Sequence, residues 1–138
     1  MTTIICVDDD PRNSEKISQE LTEEGYQVLL TIDGDEGLEM ILDQMPQLIL
    51  YNIATAHENR YRILTEVREK YPLLAETPFI FVSEKSDNEQ VLSDLKAGAD
   101  AYLTEPVNTT FLLATVKASL RQIDRIKFKH DRLLVLDI

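Results

Sequence analysis

Five short apolar runs alternate with five longer amphipathic stretches, and that alternation restricts the folds open to this chain more than any other feature. Thr3–Val7 reads as a strand, and Asp10-Pro11 opens a helix with an N-cap residue followed by proline at the first turn. Ile17 and Leu21 share one face of that helix, which stops near Gly25. Tyr26–Thr31 is a second strand, and Asp33-Gly34 turns into a helix bearing Leu38, Ile41 and Leu42. Leu48–Asn52 is a third strand, followed by a polar loop and a helix with Ile63, Leu64 and Val67. Phe79–Val82, a helix over Asp87–Lys96 with Gly98 as its stop, and a short strand at Ala101–Leu103 come next. Asn108 then caps a last helix carrying Phe111, Leu112, Val116, Leu120 and Ile123.

This pattern predicts an α/β fold: a doubly wound, three-layer domain with a five-stranded parallel sheet. Right-handed crossovers place the C-terminal ends of all strands on one edge, where ligands bind such sheets. The residues just past the strands are therefore the candidate site: Asp8, Asp9 and Asp10, then Asn52, Ser83, and Glu105 with Pro106.

With 138 residues the chain has the size of one domain, and 43% hydrophobic with 28% charged residues describes a globular protein. No apolar run approaches membrane-spanning length, no secretory signal is visible, and the one cysteine, Cys6, lies inside an apolar strand as core filler. A cytoplasmic location with no membrane contact is the expectation. The net charge of −11 is uneven: residues 1–116 carry 8 Lys/Arg against 22 Asp/Glu, a net −14, whereas residues 117–138 are net +3. An acidic body repels phosphates, so this domain is not expected to bind nucleic acid. His57 and His130 stand outside any ligand spacing, and no Gly-rich phosphate loop or nucleophile elbow is present.

Four stations along the chain resemble those of response-regulator receiver domains. Val7-Asp8-Asp9-Asp10-Pro11 resembles the acidic end of their first strand, and Pro46–Ile53 the segment that ends in their phosphoaccepting aspartate. Phe79–Ser83 resembles the fourth strand with its hydroxyl switch residue, and Lys96–Pro106 the stretch ending in a Lys-Pro pair. The resemblance covers roughly residues 3–123 and implies a flavodoxin-like strand order of 2-1-3-4-5. It also implies a division of labour. Asp8 and Asp9 match the pair that holds Mg²⁺, an ion that requires hard oxygen ligands. Asn52 occupies the phosphoacceptor position and could add a neutral oxygen to that metal set, Ser83 matches the switch hydroxyl, and Tyr102 the mobile aromatic or a packed surface ring.

The departures from the family pattern bear on function. A carboxamide at Asn52 is a poor nucleophile and cannot form an acyl phosphate. Glu105 replaces the lysine, which turns an attraction for phosphate of about 4 kcal/mol, for charges ~4 Å apart at an effective dielectric of about 20, into a repulsion of similar size. Glu105 either faces the pocket as an added acid or turns outward to a base such as Lys85. The loop Ala54–Arg60 lacks the usual Met-Pro and glycine, and Glu84 puts a bulky acid where a small residue leaves room for phosphate.

The expected function is that of a degenerate receiver, or pseudo-receiver, in a two-component system or phosphorelay. It is not an enzyme, and it works by contact with a histidine kinase, an output domain or another regulator, through the last helix, the fourth helix and the strand between them. Mg²⁺ binding is expected to be weakened, with no other cofactor. One alternative is a working phosphorelay receiver with an unusual acceptor, such as Asp8 or Asp9; a Mg²⁺-dependent phosphohydrolase is a weaker one.

Residues 1–123 form the receiver-like domain and 124–138 a C-terminal helix extension or linker. Val116, Leu120, Ile123, Lys127, His130 and Leu134 follow a 4-3-4-3-4 spacing that suits a last helix extended into a short coiled coil leading to another domain, as a linker or a homodimer contact. The competing reading ends the helix near Phe128 and forms an apolar strand over Leu133–Leu136.

Overall fold

A computed structural model describes residues 1–52, 61–83 and 88–136. The elements run β1 (Thr3–Asp8), α1 (Pro11–Glu23), β2 (Gln27–Thr31), α2 (Gly34–Gln44), β3 (Leu48–Asn52) and α3 (Arg62–Lys70). After a 3-10 turn at Pro72–Leu74 come β4 (Phe79–Ser83), α4 (Asn88–Ala97), β5 (Ala101–Thr104) and α5 (Thr109–Leu136). All strand pairings are parallel and the order is β2-β1-β3-β4-β5, as expected.

Alternation along the central strands feeds two cores. Ile5, Val7, Ile49, Tyr51, Phe79 and Phe81 point to one face and pack against Ile41 of α2 and Ile63, Leu64 and Val67 of α3. Ile4, Cys6, Leu48, Leu50, Ile80 and Val82 point to the other, against Ile17 and Leu21 of α1 and Leu112 and Val116 of α5. Because β3 is covered on both faces, all five of its residues are buried.

Local chemistry sets the helix ends. The Asp10 side chain accepts from the Arg12 N–H with Pro11 in the first turn, Asp33 accepts from the Asp35 N–H, and Asn108 accepts from the Phe111 N–H at 2.9 Å. Gly98, at φ 114°, follows α4 in a backbone conformation that a side chain resists.

Two helix ends go beyond what local sequence signals mark. Met45 closes α2 in the left-handed conformation at φ 48°, a role for which glycine or asparagine is the usual residue. The reading of Leu133–Leu136 as a strand is overturned, because α5 continues unbroken to Leu136. No glycine or proline interrupts residues 109–136, so nothing in the sequence stops the helix once it has started. At 28 residues α5 is about 42 Å long.

Candidate functional site

The register of the sheet builds the site. Asp8 ends β1 and Asn52 ends β3, and the two are directly paired across the strands. Ser83 ends β4 opposite Thr104 on β5, and Glu105 follows, its N–H donating to the Ser83 carbonyl at 2.8 Å. The Glu105–Pro106 peptide is cis. Three of the expected site residues thereby touch one another. The Asn52 amide nitrogen lies 2.6 Å from Glu105 Oε1 and 3.2 Å from Asp8 Oδ2.

The chemistry of the neighbours fixes which end of the amide faces inward. Asp8 and Glu105 are carboxylates, which when ionised can only accept hydrogen bonds, so the nitrogen and its two protons must point toward them. Asn52 therefore bridges two acids that would otherwise repel each other. Glu105, for which both an inward and an outward orientation were open, meets the Asn52 side chain.

Asp8 is fully buried and heavily engaged. Its Oδ1 accepts from the Asp10 N–H at 2.8 Å, and its Oδ2 accepts from the Asn13 amide at 2.7 Å as well as from Asn52. Burial pushes the Asp8 carboxyl above its ordinary pKa; the three hydrogen bonds oppose that rise, and the charge of Asp9 adds to it. Asn13 was not among the residues picked out from the sequence. Its five-residue offset from Asp8 across a helix start, with Asp10 as cap, is the signal that would have found it.

Asp9 is exposed at the mouth of the site, its N–H donating to the Asn52 carbonyl at 3.4 Å. Ser83 is half-buried at the rim, and Tyr102 stands on β5 with 39% of its surface exposed. Glu84, Lys85, His57 and the loop over residues 54–60 lie outside the described residues. Cys6, one residue from Val7 in the core, is no nucleophile: burial chiefly, with the Asp8 charge, pushes its thiol up to about 12 from 9.0.

These residues fit a divalent metal poorly as they stand. A ligand must offer a lone pair, and Asn52 offers N–H donors instead. Three of the roughly four acceptor positions on the Asp8 carboxylate are already occupied by N–H groups. Among the described residues no group of three or more His, Cys, Asp or Glu side chains is placed to hold a metal ion.

A second polar cluster lies between the start of α3 and α4. The Tyr61 hydroxyl donates to Asp94 Oδ1 at 2.6 Å, and the Gln90 amide donates to both at 3.0 Å. Asp94 is buried, and the Tyr61 ring stands edge-on to Phe81 of β4. This ties the start of α3 to α4. The sequence pattern gave no hint of it.

The doubly wound sheet, its order and its acidic C-terminal edge agree with comparisons to known proteins. The family model of the response regulator receiver domain matches residues 4–117. The chain belongs to this family. The transcriptional regulatory protein DltR of Streptococcus agalactiae is 35% identical over 130 residues, 94% of this chain and 57% of that protein. The chain thus spans little more than half the length of the curated relatives it matches.

Among solved structures, the CheY-like receiver domain protein from Methanospirillum hungatei is 30% identical with a TM-score of 0.80, over 91% of this chain and 98% of that one. A two-component response regulator from Clostridium difficile is 26% identical with a TM-score of 0.79, over 89% and 98% of the two chains. As a receiver domain of a two-component response regulator, this protein shares the family's sheet and carries Asn52 and Glu105 at its acidic edge. Among the described residues, no helix is long and apolar enough to cross a membrane.

Proposed function

We propose that this receiver is a pseudo-receiver, which signals by protein contact without accepting a phosphoryl group at the usual position. One observation carries the reading: the Asn52 amide is bonded to both Glu105 and Asp8. The acceptor position holds a group with no nucleophilic oxygen, and that group is fixed in place by a carboxylate where the family pattern has a lysine. An arriving phosphate would meet the Glu105 charge and would have to displace a short charge-assisted hydrogen bond. Mg²⁺ is held weakly, if Asn52 keeps its nitrogen toward Asp8.

Asp8 is a poor alternative acceptor. Asp8 is fully buried and makes three hydrogen bonds, so its oxygens are neither accessible nor free to attack in line. A phosphohydrolase reading has no carboxylate nucleophile on β3.

The surface for contact is the face made by α4, β5 and α5. Leu92, Leu95, Tyr102 and Phe111 are all exposed there. Leu95, Tyr102 and Phe111 line a shallow groove with Pro106 and Val107, next to the peptide that carries Glu105. Its partner in this reading is a histidine kinase or an output domain of the regulator. DltR is named a transcriptional regulatory protein, and an output of that class would suit a receiver of this kind.

Incubation with acetyl phosphate and Mg²⁺, followed by intact-mass measurement, tests the proposal. The expected result is no phosphorylated species. A hydroxylamine-sensitive gain of one phosphoryl group overturns it.

A further inference from the structure

β2 forms one edge of the sheet, and among the described residues it pairs with β1 alone. The Gln27 N–H donates to the Thr2 carbonyl at 2.9 Å, which fixes the phase of the strand. Backbone groups alternate sides along a strand. Gln27, Leu29 and Thr31 therefore bond to β1, while Val28 and Leu30 direct their N–H and C=O groups outward.

Edge strands usually carry a device against further pairing, such as a charge, a proline, a bulge or very short length. β2 carries none. From Gly25 to Ile32 there is no charged residue and no proline. The register with β1 runs from Gln27 to Thr31 without a bulge. Leu30 is 39% exposed, and Ile32, just past the strand, 63%. The opposite edge, β5, has only four residues and is bracketed by Asp100 and Glu105.

The helices above and below this edge differ in charge, and the difference selects the occupant. α2 carries Asp35, Glu36, Glu39 and Asp43, all exposed, and no Lys or Arg. Asp35 turns to Arg62 of α3. At about 100° per residue, Glu36, Met40 and Asp43 then lie on the other flank of α2, over the outer side of β2. On the opposite face of the sheet, Lys16 and Glu20 of α1 turn to α5, bonding the Val107 carbonyl and the Thr109 hydroxyl. That places Ser18 and Thr22, both uncharged, on the flank of α1 beside β2. Tyr26 and Val28 pack on the α1 face, so Leu30 projects to the same side. A strand added to β2 sends its side chains alternately to this uncharged face and to the acidic one.

We propose that β2 is a docking edge for an extended segment of a partner protein in which apolar residues alternate with Lys or Arg. Its backbone pairs with Val28 and Leu30, its apolar side chains cover Leu30, and its cations face Glu36 and Asp43. A second copy has the wrong charge, because β2 paired with β2 sets one acidic α2 beside another. The edge lies across the sheet from the α4–β5–α5 face, and the proposal rests neither on that face nor on the acidic pocket.

A capped octapeptide of alternating valine and lysine is the probe. Titrated into the full chain, it should slow amide hydrogen exchange at Val28 and Leu30, whose N–H groups face outward. The same peptide N-methylated throughout keeps its charge but loses its donors, and it should give no protection. Leu30→Pro removes one outward donor without touching a bond to β1, a position where an edge strand accepts proline, and should abolish protection at Val28. A second variant, Glu36→Lys with Asp43→Lys, alters only exposed helix positions and should weaken binding by about fivefold or more. Circular dichroism checks that each variant is folded. No protection of Val28 and Leu30 at saturating solubility of the peptide overturns the proposal. So does an N-methylated peptide that binds as well as its parent, or binding unchanged by the reversal of charge on α2.

Discussion

The Asn52 amide nitrogen sits 2.6 Å from Glu105 Oε1, so the two residues on which the proposed loss of phosphoryl acceptance rests are bonded to each other. In that proposal the two residues are coupled. An aspartate at position 52 would put a third carboxylate against Asp8 and Glu105; a lysine at position 105 would put a cation against the Asn52 N–H donors. Each substitution makes sense of the other, and together they leave the pocket closed by internal hydrogen bonds.

The pocket should be visible in the pH dependence of stability. The folded Asp8 carboxyl has a raised pKa, chiefly because it is buried, so it binds its proton more tightly in the folded than in the unfolded chain. Its contribution is fully favourable below the unfolded pKa, about 3.9, and is lost as pH rises through the higher folded value. Other carboxylates titrate in the same range, so the informative quantity is the difference between wild type and Asp8→Asn. Hydrogen bonds lost in the variant shift that difference by a constant. Urea unfolding across this window should show wild type losing stability relative to the variant as pH increases, and a flat difference would contradict the assigned direction.

Tyr61→Phe should loosen the junction of α3 and α4. The ring keeps its edge-on contact with Phe81, while buried Asp94 loses a 2.6 Å hydroxyl donor. Hydrogen bonds to charged groups contribute about 1.5–3 kcal/mol, which is the expected loss. Hydrogen exchange should quicken first in α4. A change within about 0.5 kcal/mol, typical of surface substitutions, would mean that the hydroxyl contributes little.

Much of this was legible in the sequence because it is local or periodic. The alternation of apolar runs and amphipathic stretches prescribed the sheet and its acidic edge, and Asp10-Pro11 and Asn108 marked helix starts through contacts only two or three residues long. The missed features depend on long-range packing. Tyr61 and Asp94 are 33 residues apart and meet only after α3 and α4 have docked. The inward turn of Glu105 depends on Asn52, 53 residues away. Met45 is held in a left-handed conformation that its own side chain does not favour, so its type could not announce the end of α2. The length of α5 was ambiguous because Leu133–Leu136 suits a helix or a strand equally well in isolation.

Gly37→Ala should destabilise the domain although it improves helix propensity. A Cβ at Gly37 would lie 2.8 Å from Val7 Cγ2 and 3.2 Å from Cγ1, where α2 crosses β1. Overpacking of this kind costs about 1–3 kcal/mol, against a helix gain of up to about 1 kcal/mol. Val7→Ala removes both methyl groups. In that background Gly37→Ala should become neutral or stabilising, and chemical denaturation of the four proteins measures the coupling. Equal costs in both backgrounds would mean that α2 shifts to absorb the added methyl.

Restoring the nucleophile alone should not restore phosphorylation. In Asn52→Asp, the introduced carboxylate replaces a donor that now lies 2.6 Å from Glu105 and 3.2 Å from Asp8. Three acids in contact cannot all ionise cheaply, so without metal the new group's pKa should rise and it should carry a proton at a pH where an exposed aspartate would not. Mg²⁺ would relieve part of that repulsion, so the variant should bind the metal more tightly than the parent. Phosphate would still meet Glu105. Glu105→Lys alone should stay unlabelled, because it supplies the cation but no attacking oxygen. The pair Asn52→Asp, Glu105→Lys should label faster than either single variant, by more than the single effects combined, as expected of groups sharing one site. The rate of acetyl-phosphate-dependent mass increase in the four proteins measures this. Labelling of Asn52→Asp as fast as the double variant would show that Glu105 does not act on the acceptor position, and that the bond between Glu105 and Asn52 is a consequence of the lost nucleophile and not a second barrier to phosphate.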